Sequence, residues 1–103
     1  MLVKQLPHSD DLDAMAILQA LADPVRLQIV RQLAGCPAQG ELSCGSISLP
    51  VTKSTASHHF KTLLDAGLIA ERSQGTRKFL QLRREELDQR FPGLIDSVLR
   101  ATA

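Results

Sequence analysis

Few residues in this 103-residue chain are suited to chemistry, and they cluster. Cys36 and Cys44 stand eight positions apart, one in a Gly/Pro loop and the other after "ELS". They are either a small buried hydrophobe and an incidental thiol, or the two halves of a thiol switch that oxidation would join or modify. His58 and His59 are adjacent, but on a helix neighbouring side chains point about 100° apart. No acid, nucleophile or third ligand stands near them in sequence, so His58 reads as a surface contact and His59 as a partly packed residue. Around them runs "TKSTASHHFK", Thr52–Lys61, in which Ala56 and Phe60 are the only apolar side chains. Neither a Cys-x-x-Cys motif nor a nucleophile–base pair is present, so no enzyme is expected and no cofactor.

The elements that must hold these residues follow from caps and periodicity. Ser9 is expected to N-cap a first helix with Asp10, Asp11 and Asp13 in its first turn. Ala14, Ile17, Leu18 and Leu21 form its apolar stripe, and Leu12 and Met15 widen it, as if two surfaces had to be met. "ADPVRLQIVRQLAG" follows, with Asp23 as cap, Pro24 at the first position, Ile29, Val30 and Leu33 inward, and Gly35 as a left-handed stop. "ELS" allows a short strand before a helical turn near Cys44–Ser48. Thr52 caps the polar helix, Gly67 stops it, and Ala56, Phe60, Leu63 and Leu64 make one narrow stripe. Opposite lie Ser54, Ser57, His58, Lys61 and Asp65. "GLIAERSQGTRKFLQL" reads as a hairpin with Leu80 and Leu82 on one face and Arg72, Arg77 and Lys78 at its tip. The tail gives a short helix, a break at Pro92–Gly93 and a final helix with Leu94, Ile95, Val98 and Leu99 as its apolar side.

Length and 44% apolar composition fit one domain with a single core, aliphatic because Trp and Tyr are absent and Phe occurs three times. No apolar run approaches the roughly 20 residues of a bilayer span, and the acidic N-terminus lacks a signal-type apolar region. The chain is therefore expected to be soluble and cytoplasmic, with both cysteines reduced at rest.

The net charge of +1 conceals a pattern: −2 over residues 1–51, +5 over 52–84 and −2 over 85–103. Such segregation points to one face built for a polyanion. The major groove of B-DNA, roughly 12 Å wide, admits one helix, whose leading N-terminal residues reach base edges. Lys53, Ser54, Thr55, Ser57 and His58 are the candidate base readers, and Lys61 a phosphate contact. The hairpin tip, with Gln74, Thr76, Arg77 and Lys78, would rest on the backbone or dip into the minor groove. The element order is that of a mainly α winged helix-turn-helix with a small β-hairpin (α-α-α-α-β-β-α).

"LADPVRLQIVRQLAG", then "STASHHFKTLLDAGLI", then a Gly-tipped basic hairpin resembles the ArsR-type (arsenical-repressor) family of bacterial winged-helix repressors. The match covers about Leu18 to Leu82, and the two motifs together are far more specific than either alone. The resemblance implies a homodimer joined through its first and last helices, residues 1–22 and 85–103, with residues 52–66 as recognition helix and 68–82 as wing. It also implies binding to an inverted-repeat operator on double-stranded DNA, with release by an inducer. Two-fold symmetry would space the recognition helices about one DNA turn apart, roughly 34–36 Å. Many relatives sense metals through a Cys-x-Cys pair, but here Leu42 stands where Cys44 would need its partner. The last helix, "GLIDSVLRATA", offers Asp96 and no His, so no metal site is expected. That leaves Cys36 and Cys44 as the candidate sensors, with the inducer unidentified. The competing reading is a winged-helix module for protein–protein contact, against which Lys53, Lys61, Arg77 and Lys78 weigh.

Overall fold

The computed structural model describes residues 11–36 and 40–103. Helix α1 (Ala14–Leu21) starts later than expected, and its cap is Asp13, whose carboxylate accepts from the Met15 N–H at 3.1 Å. Leu12 just before the cap and Ile17 one turn on are both buried, a hydrophobic staple that fixes the entry of the chain. Asp11 therefore precedes the helix, and Ser9 and Asp10 lie outside the described residues.

Helix α2 (Pro24–Ala34) begins as its sequence dictates: Asp23 accepts from the N–H groups of Val25 and Arg26, and Pro24 occupies the first turn. Its end differs from expectation. Gly35 has φ −75°, not a left-handed value, and the Cys36 N–H reaches back to the Leu33 carbonyl at 3.2 Å. The helix finishes by tightening its last turn rather than by reversing its hand.

Strand β1 (Leu42–Ser43) and a single 3-10 turn (Cys44–Ser46) lead to α3 (Lys53–Ala66). Gly67, at φ +85°, ends α3 in a Schellman arrangement: its N–H bonds to Leu64 O and that of Leu68 to Leu63 O, each at 3.1 Å. The chain then forms the hairpin β2 (Ile69–Gln74) and β3 (Arg77–Leu82), turning at Gly75 (φ +61°) and Thr76. Opposite residues run from Ile69↔Leu82 to Gln74↔Arg77. β1 adds to the far edge of β3 through Leu42↔Leu80 and Ser43↔Phe79, so the sheet has three antiparallel strands in the order β1-β3-β2. Helices α4 (Arg84–Arg90) and α5 (Leu94–Ala101) complete the fold, which is a winged helix-turn-helix.

Among the described residues the buried core is wholly aliphatic, drawing Ile17 from α1, Ile29 and Val30 from α2, Leu63 and Leu64 from α3, Leu80 from β3 and Ile95 from α5. Phe60 and Phe91 pack at its margin. Among the described residues the exposed large apolar side chains are both on α1: Met15 at 62% exposure and Leu18 at 42%.

Candidate nucleic-acid interface

Three devices hold α3 in place. Beneath it, Leu63 and Leu64 are buried and Ala56 and Phe60 half-buried, so one narrow stripe docks the helix. In front, the Thr52 hydroxyl accepts from the Thr55 N–H at 3.3 Å, donates to the Thr55 hydroxyl at 3.0 Å and lies 3.3 Å from that of Ser54. Before that, two glutamines of α2 fix the turn. Gln28 and Gln32 both donate to Ser48 O, at 3.4 and 3.0 Å, and the Gln32 amide oxygen accepts from the Ser48 N–H at 3.3 Å. The connection between α2 and α3 is thereby anchored to α2 by side chains as well as by the chain itself.

On the opposite face, Lys53, Ser54, Thr55, Ser57, His58 and Lys61 are all exposed, so all six side chains proposed from sequence share the outward surface of one helix. They are not equally free. Thr55 belongs to the cap, and Lys61 pairs with Asp65 at 2.8 Å in an i,i+4 bridge. Both partners are more than half exposed, so a competing phosphate displaces the pair at little cost. His59 departs from the outward set: it is half-buried, and its Nδ1 accepts from Arg26 at 3.2 Å.

In the wing, Gln74, Thr76, Arg77 and Lys78 are exposed. Alternation along β3 sets Arg77 and Lys78 on opposite faces of the ribbon. The Gln74 amide oxygen is already engaged by Arg72 at 3.0 Å. Arg72 is not the free tip cation that its sequence position suggests. Its guanidinium holds Glu41 through hydrogen bonds of 2.8–3.2 Å and lies 4.6 Å above the Phe79 ring. The Arg72 hydrogen bond holds the Glu41 carboxyl below the ordinary range, and the same pair raises the Arg72 value. Asp23 is likewise held low, first by the Arg26 N–H that it accepts.

Cys36 and Cys44 are free thiols, each half-buried. Cys36 Sγ donates to Gln32 O at 3.7 Å. Burial pushes the Cys44 thiol up, and the Glu71 carboxylate adds to the effect against a smaller opposing pull from Lys78. Among the described residues no three His, Cys, Asp or Glu side chains gather as metal ligands would, and no helix is long and apolar enough to cross a membrane.

Sequence reasoning missed the parts that act at a distance: the Gln28/Gln32 anchor, the Glu41–Arg72 lock and the Arg26–His59 contact. The last two join residues 31 and 33 positions apart. No local pattern marks such pairs.

Comparison with known proteins agrees with this geometry. The model of a helix-turn-helix domain matches residues 21–72. The chain is 39% identical over 95 residues to the uncharacterized HTH-type transcriptional regulator YceK of Bacillus subtilis (strain 168), covering 90% of this chain and 93% of that protein. It is also 39% identical over 74 residues to an arsenical resistance operon repressor of Staphylococcus xylosus, covering 70% of this chain and 67% of the repressor. Among solved structures, the homodimeric winged helix-turn-helix DNA-binding domain of a possible ArsR-family regulator from Mycobacterium bovis gives a TM-score of 0.66 at 29% identity. That match covers 85% of this chain and 76% of the other.

Proposed function

The chain belongs to the ArsR family of helix-turn-helix transcriptional regulators, and from that premise we propose that it is a homodimeric repressor whose α3 reads an inverted-repeat operator in the major groove. It is a regulator and not an enzyme. The observation that carries the proposal is the exposed row Lys53, Ser54, Ser57 and His58 on a helix capped at both ends and anchored to α2 through Ser48. Short side chains on a fixed rod lose little conformational freedom on binding, so their donors and acceptors can discriminate base edges. Thr55 joins them from within the cap, and Lys61 turns from Asp65 to a phosphate. Gln74, Thr76, Arg77 and Lys78 carry the wing onto the backbone or into the minor groove.

Self-association is proposed through α1 together with the C-terminal helices, which belong to the segments 1–22 and 85–103. Met15 and Leu18 stand exposed on α1, and the related domain from Mycobacterium bovis is homodimeric. For the inducer, oxidation at Cys36 and Cys44 is the proposed chemistry. A peroxide converts the Cys36 thiolate to a sulfenic acid, and the Cys44 thiol condenses with it, forming the S–S bond and releasing water. Burial raises the Cys44 thiol, which makes it a poor first nucleophile and suits it to the second step.

The test is selection of bound duplexes from random DNA, with reductant and again with peroxide, followed by a salt titration of the selected site. Recovery of a two-fold symmetric site whose affinity falls steeply with salt supports the proposal. A flat salt response favours the competing protein-contact module. Peroxide that leaves binding unchanged removes the thiol switch alone.

A further inference from the structure

Arg26 stands in the first turn of α2, where a cation opposes the helix dipole, so its placement does not serve α2. Its side chain is only 17% exposed, and its fork is spent on neighbouring elements. Nε donates to Ala20 O at 2.6 Å and one terminal nitrogen to Gln19 O at 3.3 Å, at the carboxyl end of α1, where unpaired carbonyls welcome a cation. The other terminal nitrogen donates to His59 Nδ1 on α3 at 3.2 Å and lies 4.0 Å from the Asp23 carboxylate. One guanidinium thus ties the end of α1, the start of α2 and the middle of α3.

A guanidinium only donates, so His59 Nδ1 must accept, and the ring must be neutral with its proton on Nε2. Protonation of His59 would replace that lone pair with a second donor facing a permanent cation. The charged and titratable groups that act on the ring are Arg26 and Asp23 at the start of α2 and His58 on α3 itself, its ring centroid 6.0 Å away, while the Gln19 and Ala20 carbonyls of α1 hold the guanidinium. Asp65 and Thr62 line the open cleft that Arg26 shares with α1. Asp23 already accepts from two backbone N–H groups and lies 4.0 Å from Arg26.

We infer that Arg26 is a positioning residue for the recognition helix, acting through the neutral imidazole of His59, so that acid releases α3 from its DNA-ready placement. This rests on the reading of α3 as the recognition helix. The expected sign is opposite to that of a histidine meeting phosphate, whose protonation would strengthen binding. When only part of the population holds the competent placement, the apparent dissociation constant rises in proportion.

The experiment measures affinity for the selected duplex at fixed ionic strength from pH 8 to 5.5, for the parent, Arg26→Lys and His59→Asn. The Asn amide oxygen can accept in place of Nδ1 and does not titrate. At pH 8, His59→Asn should bind within about twofold of the parent, whereas Arg26→Lys, which loses the fork, should bind about tenfold more weakly with unchanged circular dichroism and oligomeric state. By pH 5.5 the parent should have weakened about tenfold relative to His59→Asn. Parent and His59→Asn profiles that track each other overturn the inference, as does parental affinity in Arg26→Lys. If instead the parent fails to tell its selected duplex from random DNA at every pH, the recognition-helix reading itself falls, and the inference with it.

Discussion

Helix α3 and the β2–β3 wing are both polar, cationic and exposed, yet they are held by opposite means. The helix is fixed at both ends, by the Thr52 hydroxyl and by Gly67 in its left-handed conformation, and below by Leu63 and Leu64. Its outward side chains are mostly short. The wing depends on the pairing of β2 with β3 and on the lock that Arg72 makes with Glu41 and Phe79, and its exposed tip carries the long cations Arg77 and Lys78. Position and charge therefore divide between two elements. A rigid row of hydroxyls and an imidazole suits discrimination, whereas long flexible cations suit attraction without discrimination. Total charge would not have separated them.

The largest expected effect tests the discriminating half. Ser57→Ala with His58→Ala should relax sequence preference by about 1–3 kcal/mol for each base-edge hydrogen bond removed. Competition between the selected operator and random duplex measures it, and parental discrimination in the double variant would move base reading to another element. Next comes the rigidity on which that reading depends. Gly67→Ala forces a side chain into φ +85°, which should lower stability by about 1–2 kcal/mol in urea denaturation. An unchanged midpoint would mean that the chain leaves α3 by another route.

Where the sequence was legible, the signal was local. Asp23–Pro24, Thr52 and Gly67 each mark a helix end within a few residues, and Gly75 marks the turn. The outward set on α3 followed from period alone, because one apolar stripe settles where the remaining side chains face. Legibility failed where two local solutions competed. Asp13, expected as a first-turn acid, is itself the cap of α1, with Leu12 before it and Ile17 after it both buried. Gly35 allows reversal but the chain tightens instead. It failed again wherever a long-range partner decided a role. Arg72 looks like a tip cation until Glu41 is seen to hold it, and His59, partly packed as expected, gives no local sign that Arg26 is the group against its ring. Sequence identified the charged and polar residues; it did not reveal which were already engaged.

A smaller effect is expected in the attracting half. Arg77→Ala should weaken binding to all duplexes about equally and flatten the slope of log affinity against log salt by about one unit. Since Arg77 and Lys78 face opposite sides of the ribbon, Lys78→Ala need not repeat the result, and comparison of the two slopes identifies the side of the wing that meets DNA. Unchanged slopes in both variants would place the wing away from the duplex and leave α3 as the sole contact.

The smallest effect concerns the cation withheld from the tip. The Arg72 hydrogen bond keeps the Glu41 carboxyl below its ordinary value, so folding favours the ionised form. That contribution is fully present above the unfolded value, near 4.5, and fades as pH falls through the lower folded value. Glu41→Gln should therefore melt slightly below the parent at pH 7, and the gap should close as pH drops below about 4.5, where the parent carboxylate also takes up its proton. A gap that persists in acid would mean that Glu41 supports the fold by packing rather than by charge. The same variant bears on DNA: with no carboxylate to hold it, Arg72 becomes available beside Arg77, and the salt slope should steepen by up to about one unit. An unchanged slope would mean that the Phe79 ring, 4.6 Å below the guanidinium, retains Arg72 on the strand without help from Glu41.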